Sequence, residues 1–363
     1  MLRKLSFALS MLFILSMVLS ACAPTATPTS PPAPAATEAP QMQQPSGQGE
    51  IVQRVRDRGK VVCGGRTDLA GFGFLDADGN NVGFDVDLCR AVAAAVLGDP
   101  NAVEIVNLTA ADRGPALQTG EVDILSRNTT WTSTRDAQWG NFTWIMFYDG
   151  QGFMVRKDSG ITTLEQLNGA TVCVTSGTTT ELNLEDAFKQ RGLEYTPVVF
   201  EDTATVYGTY EEGRCDAATS DKSQLASVRS GFTDPSAHAI LDVTISKEPL
   251  TPAVPQGDDQ WFDIVKMVMF GLINAEELGV TQANVEQMKN SDNVAVKRLL
   301  GSESEWGQAD LGLDADAIAK AVAAVGNYGE IYDRYLGPSA LDIPRGPNKL
   351  WTDGGLVYAP PLR

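Results

Sequence analysis

Three short segments hold side chains suited to gripping a small charged molecule. The first, Asn128-Thr-Thr-Trp-Thr-Ser-Thr-Arg135, is a run of amides and hydroxyls that ends in an arginine. It lies between the apolar stretches Val122-Asp-Ile-Leu125 and Phe142-Thr-Trp-Ile-Met-Phe-Tyr148, so a polar run begins where a buried strand should end. The second is Ser176-Gly-Thr-Thr-Thr-Glu181, and the third is Thr219-Ser-Asp-Lys-Ser223. An arginine can hold a carboxylate through two parallel N–H bonds. Thr178 followed by Glu181 matches a capping box, and Gly177 lets backbone approach a ligand. The helix N-terminus there would offer unpaired N–H groups and a positive dipole end to the same oxygens. Asp221 supplies a negative charge for an ammonium. Taken singly, each has a plainer role: a well-capped helix, or a solvated acid at a strand end. Together they describe recognition of a zwitterion such as a free α-amino acid.

All three sit at strand-to-helix junctions, and ligands of open parallel sheets bind beyond the carboxyl ends of the strands. Lys60-Val-Val-Cys-Gly-Gly65 reads as a strand, and Gly83–Asp99 reads as a helix stopped by Gly98. Ala102–Leu108 is a strand, Ala111–Gly120 a short helix and Val122–Leu125 another strand. This alternation predicts a parallel sheet. A second α/β unit begins near residue 153, with strands at Gly169–Gly177, Tyr195–Phe200 and Cys215–Asp221 separated by helices. Pro249, Pro252 and Pro255 exclude regular helix where the chain returns, and a long helix from Trp261 leads into a helical C-terminal region. About 310 residues follow the tether described below, more than one hydrophobic core usually holds. The expected class is therefore α/β with two lobes. One is discontinuous, residues 51–152 and 254–363, the other is 153–253, and the two crossings form a hinge.

The N-terminus narrows the compartment. Arg3 and Lys4 precede an apolar run to Leu19, and Leu19-Ser-Ala-Cys22 resembles a bacterial lipobox, so residues 1–21 read as a signal peptide and Cys22 as the lipidated first residue. Residues 22–50 form a tether with seven prolines, too poor in apolar surface to offset ordering entropy. Without Arg3 and Lys4, the 28 basic residues fall to 26 against 46 acidic ones, a net charge near −20. That argues against nucleic acid and anionic lipid as partners. Beyond Cys22 there remain Cys63, Cys89, Cys173 and Cys215, an even number that favours two disulfides outside the cytoplasm. Pairing Cys63 with Cys89 and Cys173 with Cys215 staples each lobe and leaves the hinge free. The other two connectivities are also permitted by count. No C-x-x-C is present and the chain has one histidine, so no metal is expected, and His238 reads as a surface or loop residue. Asp76-Ala-Asp-Gly-Asn-Asn81 lacks the further ligands of a calcium loop and reads as a tight turn. The Asn-x-Thr sequences at Asn107, Asn128 and Asn141 have little meaning behind a bacterial lipobox.

Several segments in order, among them GFDVDLCRAVAAAVLGD, DILSRNTTWTSTRD, FYDGQGFMVRK, GRCDAATSD, GDDQWFDIV, GNYGEIYDRYLG and GGLVYAPP, resemble the general L-amino-acid-binding proteins of ABC importers, within solute-binding protein family 3. The resemblance runs from about residue 51 to the C-terminus. It implies a two-lobed periplasmic-binding-protein fold with a hinge and a ligand held between the lobes. It also implies that Arg135 binds the α-carboxylate, helped by backbone at Thr130 and Thr179. Asp221 would bind the α-ammonium, with Asn128 in contact with it, and Ser176 is expected among the ligand-binding residues. Arg66 would either face the side-chain pocket, favouring acidic or amide side chains, or lie solvated at the surface. Trp131 would either wall the site or belong to the core. The implied function is a receptor without cofactor or catalysis, which the lipobox makes lipid-anchored and which is expected to be a monomer. It would sit in the periplasm or on the outer face of the cytoplasmic membrane and hand free L-amino acids to an ABC permease. A cyclohexadienyl or arogenate dehydratase on the same fold is the enzyme alternative; it needs a general acid over the substrate ring, and none is evident. A sensor module would require a separate signalling partner.

Overall fold

The computed structural model describes residues 49–302 and 305–363, so the leader, Cys22 and most of the tether lie outside it. The chain opens with helix α1 (Glu50–Arg58), whose apolar face of Ile51, Val52 and Val55 is buried. Asp258 accepts from the Gly49 N–H at 3.1 Å and the Ile51 N–H at 2.8 Å, tying this start to a point more than 200 residues further along the sequence. Strand β1 (Val61–Gly65) leads to a small antiparallel meander, β2 (Asp68–Leu69), β3 (Gly73–Leu75) and β4 (Asn81–Val82). Its last turn is the Asp76–Asn81 segment, where the Asp76 carboxylate accepts from the N–H groups of Asp78 and Asn80 at 2.9 and 2.8 Å. Helix α2 (Phe84–Leu97) ends at Gly98, whose φ of 73° suits a residue without a β-carbon. Then come β5 (Val103–Asn107), α3 (Arg113–Gln118), β6 (Ile124–Leu125), α4 (Ser133–Gln138) and β7 (Asn141–Phe142).

The chain now leaves for a second sheet through β8 (Phe147–Asp149). That sheet collects β9 (Gln151–Arg156), β10 (Ala170–Thr175), β11 (Tyr195–Phe200), β12 (Ala217–Asp221) and β13 (His238–Ile240) in the order β11-β10-β12-β9-β13. Helices α5 (Thr179–Arg191), α6 (Thr203–Glu211) and α7 (Lys222–Ser230) cover it. The return is β14 (Glu248–Leu250), antiparallel to β8. Strand β15 (Ala253–Val254) then completes the first sheet, ordered β5-β1-β6-β15-β7. Two lobes joined by one two-stranded crossover result. Helices α8 (Asp259–Glu277), α9 (Val285–Met288), α10 (Val294–Leu299), α11 (Ala317–Val325) and α12 (Tyr328–Tyr335) belong with the first lobe, where α8, α11 and α12 pack on α2.

Both sheets are mixed rather than wholly parallel, β15 running antiparallel in the first and β9 in the second, and their central strands β1, β12 and β9 are buried along almost their whole length. In the second lobe Phe153, Val155, Val172 and Val174 point into one core, while Met154, Cys173 and Ala218 point into the other. The same alternation decides which cysteines meet. Cys63 faces α2 and is bonded to Cys89, and Cys173 faces the α6 side and is bonded to Cys215. Each bridge lies within one lobe.

His238 is buried, against its reading as a surface residue. Pairing of β13 with the edge of β9 brings its ring 2.9 Å from the Tyr210 hydroxyl, beneath Phe232. A C-terminal segment also crosses the joint. The Asn348 amide accepts from the Tyr148 N–H at 2.6 Å and donates to its carbonyl at 3.1 Å. The Tyr148 hydroxyl donates to the Leu356 carbonyl at 3.1 Å, and the Trp144 indole to that of Tyr358 at 2.9 Å.

Candidate functional site

Beyond β6 the chain runs buried from Ser126 to Thr130. Asn128 takes φ 32°, a left-handed conformation that asparagine tolerates better than most residues. Its N–H donates to Asp85 at the start of α2 at 2.7 Å. Burial pushes the Asp85 carboxyl up to about 6, against that bond and the pull of Arg66 and Arg127. Thr132 caps α4, accepting from the Arg135 N–H at 3.2 Å. The helix thus aims Arg135 back at the loop, where it donates to the Thr130 carbonyl at 3.0 Å. Its guanidinium lies 4.6 Å from the centre of the Trp139 ring, and that of Arg113 lies 5.7 Å from the same ring. Gly114 makes room for this indole, since a β-carbon there would sit 2.6 Å from it.

The second lobe answers with a helix start and a strand end. Thr178 caps α5, accepting from the Glu181 N–H at 3.2 Å. The Glu181 carboxylate accepts from the Gly177 N–H at 3.0 Å, one residue ahead of the cap, so the reciprocal half of the capping box is displaced. Asp221 closes β12 and precedes α7 without capping it. Its Oδ1 is buried and has no hydrogen-bond partner among the described residues; the same holds for Arg113 Nε.

These elements enclose a cleft of about 370 Å³, partly open to solvent, lined by Arg66, Arg113, Arg127, Asn128 and Thr130 on one side and by Thr178–Thr180, Ser220, Asp221 and Gln224 on the other. Of the residues singled out in the sequence, Arg66, Asn128, Thr130, Thr179 and Asp221 therefore meet at one place. Arg135 lies directly behind Thr130. Ser176 and Trp131 do not line the cleft: the Ser176 N–H donates to the Phe200 carbonyl at 2.9 Å, and Trp131 stacks on Phe142 at 6.1 Å. Arg66 is buried rather than solvated. It donates to Asp68 at 2.7 Å, and at 3.3 Å to both Asn128 and Gln224, the latter on the opposite lobe. Asn128 also donates to Gln224 at 3.1 Å.

The charges are crowded and mutually costly. Burial, then repulsion from Arg135 and Arg127, holds Arg113 well below the usual arginine range. Burial and repulsion from Arg66 lower Arg127 to about 9. Burial, then repulsion from Asp149 and Glu248, pushes Asp221 far above the ordinary carboxylate range despite the pull of Arg113 and Arg135. Groups perturbed in opposite senses within one cleft mark a site that a ligand of both charges would relieve. Arg113, Arg127, Gln224 and Glu248 were not among the residues singled out. Arg113 opens a helix after a strand, as Arg135 nearly does, and that junction was the available signal.

Known proteins fit this geometry. Residues 61–338 match the family model of bacterial extracellular solute-binding proteins, family 3. The chain belongs to that family. It is 55% identical over 312 residues, 85% of this chain and 92% of the relative, to the general L-amino acid-binding periplasmic protein AapJ of Rhizobium johnstonii. Over a stretch of the same length and with the same coverage it is 47% identical to the glutamate/glutamine/aspartate/asparagine-binding protein BztA of Rhodobacter capsulatus. Among solved structures, an ABC transporter periplasmic binding protein from Brucella ovis with glutathione bound superposes with a TM-score of 0.84. It is 49% identical, covering 86% of this chain and 99% of that one. Membership of the extracellular solute-binding proteins agrees with two disulfides, which persist outside the cytoplasm. Among the described residues no helix is long and apolar enough to cross a membrane. The relatives bear the names of binding proteins, which favours the binding reading over the dehydratase reading.

Proposed function

We propose that this family 3 protein captures free L-amino acids between its lobes and delivers them to an ABC permease in the cytoplasmic membrane. The observation that carries the reading is a pair of orphans: Asp221 Oδ1, on an acid, and Arg113 Nε, on a base, are buried on residues lining one cleft and have no hydrogen-bond partner among the described residues. An unmet buried polar group costs about 1–3 kcal/mol and more for a charge, so a ligand carrying both an ammonium and a carboxylate is the natural occupant. Asp221 takes the ammonium, with Asn128 beside it. Arg135 takes the α-carboxylate with the backbone at Thr130 and Thr179; among the described residues its guanidinium donates only to the Thr130 carbonyl. Arg66 and Arg113, which also line the cleft, are assigned to the ligand's side chain, which favours acidic or amide side chains. Ser176 and Trp131 serve as supports for the site's walls.

The lobes in this reading are residues 51–152 with 254–363, and 153–253. Ligand favours closure because only the closed state offers it both sets of bonds. Residues 1–21 direct export, and lipid on Cys22, with the tether to residue 50, holds a monomeric body near the permease. A thermal-shift screen against the twenty common amino acids tests the proposal, since a ligand stabilises the folded state in proportion to its affinity. Raised melting temperatures with several acidic and amide amino acids are expected; no shift with any of them would reject it.

A further inference from the structure

Glu248 lies in neither five-stranded sheet. It opens the returning crossover β14, paired with Asp149 of β8, and is buried. Both carboxylate oxygens are fully engaged. One accepts from the Thr130 hydroxyl at 2.5 Å and the Thr179 hydroxyl at 2.9 Å; the other accepts from Ser246 at 2.5 Å and the Asn183 amide at 2.7 Å. Thr130 belongs to the first lobe, Thr179 and Asn183 to the second. This arrangement has two consequences. A hydroxyl has one proton to give, and both threonines give theirs to Glu248. Their oxygens, 3.5 Å apart at the cleft, therefore turn only lone pairs toward a ligand, which suits an ammonium and leaves a carboxylate to the backbone N–H groups alone. Further, one carboxylate can hold both hydroxyls only while the two lobes stand together.

We propose that Glu248 is a positioning residue that latches the closed lobes through Thr130 and Thr179 and orients their hydroxyls to accept from the ligand's ammonium. The inference rests on the reading of the cleft as an amino-acid site. It assigns selection against molecules that lack the amine partly to a residue that never touches the ligand.

The test compares wild type, Glu248→Ala and Glu248→Gln with two probes, L-glutamate and glutarate, which differ by the amine alone. Stopped-flow kinetics give the rates and competition calorimetry gives the preference. In Glu248→Ala, L-glutamate should dissociate about 10- to 100-fold faster with little change in association. Its preference over glutarate should fall about tenfold, because the freed hydroxyls can then donate to a carboxylate. Glu248→Gln should recover much of both effects, since its carbonyl can still accept from the two threonines once the Asn183 amide reverses. If Glu248→Ala does not fold, Thr130→Val and Thr179→Val each remove one hydroxyl and should lower the same preference. Equal weakening of both probes, with no rescue by Glu248→Gln, would overturn this inference alone. Failure of the wild type to bind any amino acid would overturn the reading of the cleft and this inference with it.

Discussion

The guanidinium of Arg135 lies 4.6 Å from the centre of the Trp139 ring, and one of its nitrogens donates to the Thr130 carbonyl at 3.0 Å. The indole fixes the plane of the fork and the carbonyl fixes its reach, so the arginine is set before a ligand arrives. Replacing it with alanine should weaken amino-acid binding by about 100-fold or more, with an unchanged far-ultraviolet circular dichroism spectrum. Arg135→Lys keeps the charge and loses the fork and the stacking, and should recover only part of the affinity. Calorimetry on both variants separates charge from geometry.

Asp221 offers a sharper discrimination. Asp221→Asn should weaken L-glutamine binding far more than binding of the same molecule without its amine, a difference of about tenfold or greater. Equal weakening of the two ligands would assign Asp221 a structural role.

The raised titration of Asp221 gives binding a pH dependence of definite sign. A protonated carboxyl cannot pair with an ammonium, so the ligand must drive a proton off. Affinity should therefore fall as pH drops through that raised pKa, by up to about tenfold per unit below it. Calorimetry in two buffers of different ionisation enthalpy should detect the released proton, and Asp221→Asn should abolish the release.

Each disulfide closes a loop within one lobe, across separations of 26 and 42 residues. In the chain-entropy description, loss of either costs about 4 kcal/mol of stability. Cys173→Ala with Cys215→Ala should lower the denaturation midpoint while leaving amino-acid affinity near that of the wild type. A large loss of affinity in the folded variant would mean that this bridge shapes the cleft as well as the lobe.

The long elements were legible because they repeat a simple pattern. Helix α2 places Val86, Cys89 and Ala93 on a buried face and stops at Gly98, and β10, β11 and β12 alternate with α5 and α6 at regular spacing. Strands of two or three residues such as β7, β8 and β14 were not legible, since too few side chains exist to set a period. Their partners are also remote: Glu248 pairs with Asp149. The site divides along the same line. Asn128, Thr130, Thr179 and Asp221 stand at junctions that sequence marks, and they meet at the cleft. Arg113, at a junction of the same kind, lines the cleft with them, whereas Glu248 comes beside Thr130 and Thr179 only through the pairing of β14 with β8. His238 misled for a related reason, because burial at an edge strand depends on Tyr210 and Phe232 folding over it.

The bond between Asn348 and Tyr148 makes the C-terminus mechanically relevant. A joint that bends would ordinarily leave the backbone of its moving strand to water. Here both polar groups of Tyr148 are held by one side chain from 200 residues further on, and Leu356 and Tyr358 are fastened alongside. Bending β8 must drag or release this strap. The tail is therefore part of the joint, and a fusion or label attached after Arg363 hangs from the strap that holds the strand joining the lobes.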